Sequence, residues 1–246
     1  MSSNLREKRS AVILLAGGQS VRMGGVDKLW LELDGRPIID FSFDWILDRE
    51  FAFESGLSQV VVVISDEGYK KFLPYLTAHK KAYPDVEFGR ASPGRSRQES
   101  VSSGLDEVDI GADLIFVHDA ARPLADPIIA RDLYRSAEKH GASIPTIMVT
   151  DSVKLLGEKG DMFTLRTLER DLVRLVQTPQ CFSADILRRA HAECEETVTD
   201  DSAMVEAIGE EVAIVDGSID NLKITHPQDL QLVTKILHDR KRDAPE

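Results

Sequence analysis

The sequence predicts an α/β protein built on a mostly parallel, doubly wound sheet. Short β-branched or apolar runs alternate with stretches of helical period, the signature of βαβ units. The 246 residues suit one α/β unit and are few for two full domains. No internal repeat, low-complexity tract or linker divides the chain, so 1–246 is expected to be a single domain.

Ala11 to Leu15 is a continuous apolar run and reads as a buried strand. From Pro37 to Leu47, Ile38, Phe41, Trp45 and Ile46 recur at helical spacing behind a proline at a tolerated first-turn position. Val60 to Ile64 is the second strand, followed by a helix through Tyr69 to Lys81, a short strand at Val86 to Phe88, and a loop rich in Gly, Pro, Ser and Arg. Gln98 to Val108 is helical and Leu114 to Val117 is a strand. Asp126 before Pro127 caps a helix running to His140, and Ile144 to Val149 returns as a strand.

After Thr150 the rhythm changes. Val153 to Leu156 and Phe163 to Leu168 flank Gly157-Glu158-Lys159-Gly160-Asp161, which predicts a hairpin that stands out as an arm. A strand near Leu172 to Gln177, a helix after Ser183, a helix from about Asp201 to Ile208 and a strand at Val212 to Val215 resume the alternation. Thr225-His226-Pro227-Gln228 has the capping-box arrangement and opens a last helix ending near His238, with a charged, fraying tail from Asp239 to Glu246.

Acids outnumber bases 42 to 30, a formal charge of -12, which argues against passive binding to a nucleic-acid backbone or an anionic membrane. Anionic small molecules remain open, because a cleft focuses the field of a few local cations. The longest apolar blocks, Ala11 to Ala16 and Val60 to Ile64, fall far short of the roughly 20 residues that span a bilayer. The polar start MSSNLREKRS lacks a secretory pattern, and Cys181 and Cys194 form neither a CxxC pair nor a metal spacing, so a cytoplasmic protein with two packing cysteines is expected.

The chemistry-bearing segments follow strands. Leu15 to Lys28 packs glycines and two cations, Arg22 and Lys28, into one loop; bare glycine backbone turns N–H groups toward an anion while Arg and Lys add charge. It has neither the Walker A spacing nor GxGxxG, and a Gly-rich turn with solvated cations is the plain alternative. Gly94-Arg95-Ser96-Arg97-Gln98-Glu99-Ser100 offers hydroxyls and free N–H groups at a helix start, suited to a nucleobase or phosphate, or to simple capping. Val117-His118-Asp119-Ala120-Ala121-Arg122-Pro123 places a carboxylate at a strand end, where Asp119 can hold a hard cation or pair with Arg122. Gly217 to Thr225 adds Asp220 and Lys223, and on its own reads as turn chemistry.

Together, AGGQSVRMGGVDK, RQESV, VHDAARP, VQTPQCF, TDD and DNLKIT resemble the 2-C-methyl-D-erythritol 4-phosphate cytidylyltransferases over nearly the whole chain. That resemblance implies a Rossmann-like nucleotide-diphospho-sugar transferase sandwich with a β-arm at about 150–171 used in homodimerisation. It implies transfer of CMP from CTP to methylerythritol phosphate, with Mg²⁺, in non-mevalonate isoprenoid synthesis. Arg22 and Lys28 would meet the triphosphate and Gly94, Arg97 and Ser100 the cytidine, with Ala16, Gly17, Gly18 and Asp119 also binding the nucleotide. Asp119 would bind the metal with Asp220, while Ala120, Arg122, Asp220 and Lys223 would meet the acceptor. Ser152, where the family often has Thr, and Arg170 would reach the acceptor phosphate in a neighbouring subunit's site. Arg22, Lys28, Arg170 and Lys223 are the expected catalytic cations.

A phosphate monoester has a second pKa of about 6, so the acceptor arrives mostly dianionic and alignment with charge neutralisation replaces proton transfer. A ribitol 5-phosphate cytidylyltransferase would use the same loops. A molybdenum-cofactor guanylyltransferase matches GGVDK but leaves HDAARP and NLKIT without a role, and a catalytically silent homologue is the alternative of another class.

Overall fold

A computed structural model of the chain describes residues 8–18, 27–196 and 198–243. β1 (Ser10–Leu15) is followed by the hairpin strands β2 (Glu32–Leu33) and β3 (Arg36–Pro37), then α1 (Ile38–Ile46), α2 (Arg49–Ser55), β4 (Leu57–Val63), α3 (Asp66–Ala82) and β5 (Glu87–Ala91). α4 (Arg97–Glu107), β6 (Leu114–Asp119), α5 (Pro127–His140) and β7 (Ala142–Met148) continue the alternation. The arm strands β8 (Lys154–Leu156) and β9 (Thr164–Thr167) come next. β10 (Arg174–Val176), β11 (Gln180–Ser183), α6 (Ala184–Glu193), α7 (Asp201–Ala207), β12 (Ala213–Asp216) and α8 (Pro227–Asp243) complete the chain.

The main sheet has the order β10-β7-β11-β6-β1-β4-β5, with β12 pairing β7 on the side away from β10 and β11. β6, β1, β4 and β5 are mutually parallel and β12 is parallel to β7; β10 and β11 run against them. The expected mostly parallel sheet is therefore present. Alternation along β1 sends Val12 and Leu14 toward Ile39, Trp45 and Phe51, and Ala11 and Ile13 toward Val101, Leu105 and Leu187. Both faces are thus covered, as a parallel sheet requires.

α5 begins and ends where expected: Asp126 accepts from the Ile128 N–H at 2.8 Å, Pro127 opens the helix, and Gly141 closes it at φ 86°. Several elements depart from the sequence rhythm. Pro37, expected in the first helical turn, ends β3 and is the N-cap of α1, and the pattern does not predict the β2–β3 hairpin before it. β11 takes the QCF that ends the QTPQCF stretch together with Ser183, fixed by its pairing with β6 and β7. α2 is seven residues long, capped by Asp48 and ended by left-handed Gly56. α8 passes His238 and runs to Asp243, so the expected fraying from Asp239 is not found there. Its return contact is made by Asp229, which accepts from the N–H groups of Thr225 and His226 at 2.7 Å each, instead of by Gln228.

Candidate active site

The carboxyl ends of the parallel strands, where open α/β sheets bind ligands, surround a cleft of about 730 Å³. Ala16, Gly17, Gly18, Lys28, Gly94 and Ser100 line it. A Cβ on Gly17 would lie 2.3 Å from Cβ of Pro93, so the loops after β1 and β5 pass too closely for any side chain; nothing stands within 4 Å of such an atom on Gly18. Gly94 is equally constrained, 2.3 Å from Cβ of Glu99. Its N–H donates to Ser100 Oγ at 3.1 Å and the Ser100 hydroxyl donates to the Ser96 carbonyl at 2.8 Å, so this serine ties the loop to α4. Lys28 follows the cap residue Asp27 and donates from Nζ to the Ile224 carbonyl, joining the first loop to the last. Arg22 lies outside the described residues.

A second cleft, about 350 Å³, adjoins the first and shares Arg97, Asp119 and Lys223 with it. These side chains form a charged wall. Lys223 Nζ stands 2.6 Å from Asp119 Oδ2, and Arg97 Nε 3.4 Å from Oδ1. Burial would raise the Asp119 pKa, but the charges of Arg97 and Lys223 hold it well below the usual carboxylate range. Arg97 also donates to Asp201 at 2.6 Å, and His191 stands 3.2 Å from the other Asp201 oxygen. Asp201 is fully buried; burial opposes its ionisation and Arg97 and His191 more than restore it.

Behind the wall, His118 is fully buried and its pKa falls to about 3, because burial penalises the imidazolium. The neutral ring donates from Nε2 to the Arg122 carbonyl at 3.1 Å, which leaves Nδ1 to accept from the Thr178 hydroxyl at 3.1 Å. Thr178 Oγ1 in turn accepts the Asp119 N–H at 3.1 Å. Arg122 donates to the Asn221 carbonyl at 2.7 Å, while its Nε and Arg97 Nη2 are buried without a hydrogen-bond partner among the described residues. Spare donors on two guanidiniums beside a polar cleft suit an anion.

A family model described as 2-C-methyl-D-erythritol 4-phosphate cytidylyltransferase matches residues 10–239. The chain belongs to that family. A cytidylyltransferase of this name from Bacillus mycoides (strain KBAB4) is 35% identical over 238 residues, covering 94% of this chain and 99% of its own. One from Streptomyces avermitilis is 37% identical over 243 residues, covering 95% and 93%. The solved 2-C-methyl-D-erythritol 4-phosphate cytidylyltransferase of Thermus thermophilus superposes with a TM-score of 0.68 at 28% identity, over 93% of this chain and 98% of that one. The 4-diphosphocytidyl-2C-methyl-D-erythritol synthase of Anaerococcus prevotii shares the fold, with a TM-score of 0.77 at 24% identity over 94% and 99%.

Not every residue singled out by resemblance to the cytidylyltransferases is brought to the clefts. Asp220 lines neither; its carboxylate lies 3.3 Å from Arg240, so the structure does not make it a partner of Asp119. Ala120 is fully buried with its N–H on the Leu15 carbonyl, and Ala121 lines the first cleft instead. Ser152 and Arg170 sit exposed at the arm; Arg170 donates to the Thr150 carbonyl at 3.0 Å and lines neither cleft of this chain. Among the described residues no three metal-ligating side chains converge. Among the described residues Asp119 is the one carboxylate common to both clefts, and it keeps lone pairs beyond its two cationic partners. One carboxylate plus phosphate oxygens fits Mg²⁺, which usually retains water and substrate ligands. Asp201, Thr178, Gln177 and Asn221 escaped the sequence reading, although TDD, QTPQ and DNLKIT contain them.

Proposed function

We propose that the chain transfers CMP from CTP to 2-C-methyl-D-erythritol 4-phosphate, giving 4-diphosphocytidyl-2-C-methyl-D-erythritol and pyrophosphate. Family membership supports the reaction, and the observation that carries it to residues is the wall common to two clefts. A nucleotide in the larger cleft and a phosphorylated acceptor in the smaller would meet at Arg97, Asp119 and Lys223.

An acceptor phosphate oxygen attacks the α-phosphorus of CTP, and the bond to pyrophosphate breaks. Both reactants are anions, so their repulsion must be neutralised at fixed positions. Lys28 serves the triphosphate side, with Arg22 of the same loop. Lys223 and Arg122 serve the acceptor. Mg²⁺, held by Asp119 and phosphate oxygens, would add Lewis-acid charge neutralisation at the α-phosphate. No side chain need remove a proton, in keeping with a His118 that is neutral and committed to the Arg122 carbonyl and the Thr178 hydroxyl.

The arm supports a homodimer. Met162, Phe163, Leu165 and Leu172 are 92%, 85%, 66% and 81% exposed, a run of large apolar side chains that a second copy would cover. In that dimer Ser152 and Arg170 would complete the neighbouring acceptor site. A cytoplasmic setting is consistent with the two free cysteines, and no helix among the described residues is long and apolar enough to cross a membrane.

Pyrophosphate release from CTP and Mg²⁺ is the test, with methylerythritol phosphate and ribitol 5-phosphate compared as acceptors and GTP compared as donor. Methylerythritol phosphate with CTP is expected to be the preferred pair. Preference for ribitol 5-phosphate or for GTP would overturn the reading.

A further inference from the structure

Lys223 reaches Asp119 from a segment outside the helices and strands, and a buried amide network ties that segment to the sheet. Gln177 follows β10 and is 5% exposed. Its Nε2 donates to the Ser218 carbonyl at 2.8 Å and its Oε1 accepts the Ser218 N–H at 3.2 Å, so one carboxamide grips both backbone groups of a single residue. Its own N–H is bound to the Pro145 carbonyl on β7 at 2.9 Å, which fixes the grip to the sheet. Gly217 accommodates it: a Cβ there would lie 2.6 Å from Gln177 Oε1 and 3.2 Å from the Thr146 carbonyl oxygen. Three residues on, Asn221 is 1% exposed, donates from Nδ2 to the Thr178 carbonyl at 2.9 Å, and accepts Arg122 on its own carbonyl. Beyond Lys223, Ile224 donates its N–H to the Ala121 carbonyl at 2.8 Å.

We infer that Gln177 is a positioning residue for the acceptor side of the reaction, holding the 217–221 loop, with Asn221, so that Lys223 and Arg122 stand at fixed places beside Asp119. The inference rests on the reading of the smaller cleft as the acceptor site. The physical reason is that a buried carboxamide used at both ends has one satisfied orientation, whereas the lysine ammonium alone has many. Gln177 and Asn221 bond to the loop, to Pro145, to Thr178 and to Arg122, and to neither Gly94 nor Ser100. Among the described residues the one link toward the nucleotide side is the Ile224 carbonyl, which accepts Lys28 beyond Lys223 and is held by its own residue's bond to Ala121. The nucleotide side is therefore expected to feel the loop less than the acceptor side does.

The test is steady-state kinetics on the full-length enzyme with CTP, methylerythritol phosphate and Mg²⁺. Gln177→Glu keeps the shape but turns an oxygen toward the Ser218 carbonyl. It is expected to lower kcat/KM for the acceptor by about 10-fold or more while KM for CTP stays within about 2-fold. A merely structural residue would change both substrates together or only the melting temperature. Gly217→Ala, which displaces the carboxamide without altering Gln177, is expected to give the same split and serves if Gln177→Glu folds poorly. In a Lys223→Ala background, Gln177→Glu is expected to cost clearly less than in the native chain, because the part of its effect that passes through the lysine is gone and only the part through Arg122 remains. Equal losses for CTP and acceptor, or full additivity with Lys223→Ala, would overturn the inference. If Lys223→Ala itself left acceptor kinetics unchanged, the reading of the cleft would fall, and the inference with it.

Discussion

The wall between the clefts and the arm both carry charges expected to meet phosphate, and they hold them in opposite ways. In the wall, Asp119 lies between Arg97 and Lys223, and Arg97 is tied further to a fully buried Asp201. In the arm, the Arg170 side chain is 58% exposed, reaching the Thr150 carbonyl and standing 3.8 Å from Asp171. The first region is preorganised by its own chain, which is what transition-state charge stabilisation demands. The second has the material for a site but gains its surroundings only from another molecule. Substitutions in the first should therefore change chemistry or folding in an isolated chain, and those in the second should act through assembly.

Lys28→Ala probes the preorganised side most directly. A fall in kcat of about 10²- to 10³-fold is expected, the cost of removing one fixed charge from a phosphoryl-transfer site. The melting temperature should stay near that of the native chain, because Lys28 opens a single 3-10 turn at the cleft and lies outside both apolar cores. Near-normal turnover would refute its place on the triphosphate.

The buried side also has a pH signature that the arm lacks. His118 titrates at about 3 when folded, against about 6.5 in an unfolded chain, so between those values the unfolded state binds more protons. Its contribution to stability is complete above about pH 6.5 and is lost as pH falls toward 3, at up to about 1.4 kcal/mol per pH unit. The lowered carboxyls of Asp119 and Asp201 add to the loss only further down, below the ordinary carboxylate pKa. Urea midpoints measured from pH 7 to pH 5 should decline in the native chain and in Arg170→Ala alike, and decline less in His118→Asn. A flat profile for the native chain would contradict the buried neutral imidazole.

The same contrast explains what could be read from the sequence. The start of α5 was legible to the residue because Asp126 and Pro127 act locally. β11 was not, since its four residues become a strand through pairing with β6 and β7. Asp119, Arg97 and Lys223 were legible as candidates because each stands at or beside the end of an element: Asp119 ends β6, Arg97 opens α4, and Lys223 lies in the loop between β12 and α8. Their pairing was not: Arg97 meets Asp201, and Lys223 meets Asp119, across 104 positions each. Asp220 shows the limit from the other side. A carboxylate three residues from Lys223 looks local, yet the turn aims it at Arg240.

On the arm, Arg170→Ala is expected to raise KM for the acceptor about 10-fold with KM for CTP unchanged, the cost of one charge-assisted hydrogen bond. Mixing it with Lys28→Ala should restore activity, since each mixed dimer would carry one site with both native residues. No recovery on mixing, or a change in CTP rather than acceptor, would place Arg170 elsewhere.

Ser152→Ala sets the smallest effect. A neutral hydroxyl contributes about 0.5–1.5 kcal/mol net, so kcat/KM for the acceptor should fall about 3- to 10-fold, less than for the neighbouring arginine. Ser152→Thr should retain nearly all activity, because it keeps the hydroxyl on an exposed position where the added methyl has room. The decisive version combines Ser152→Ala with Leu165→Glu, which buries a charge in the apolar arm face and is expected to give monomers by sedimentation. If the hydroxyl acts across the dimer, Ser152→Ala should cost nothing further in those monomers. A loss that persists there would mean that the arm folds back onto its own chain's cleft, and the division between a self-built wall and a partner-completed arm would fail.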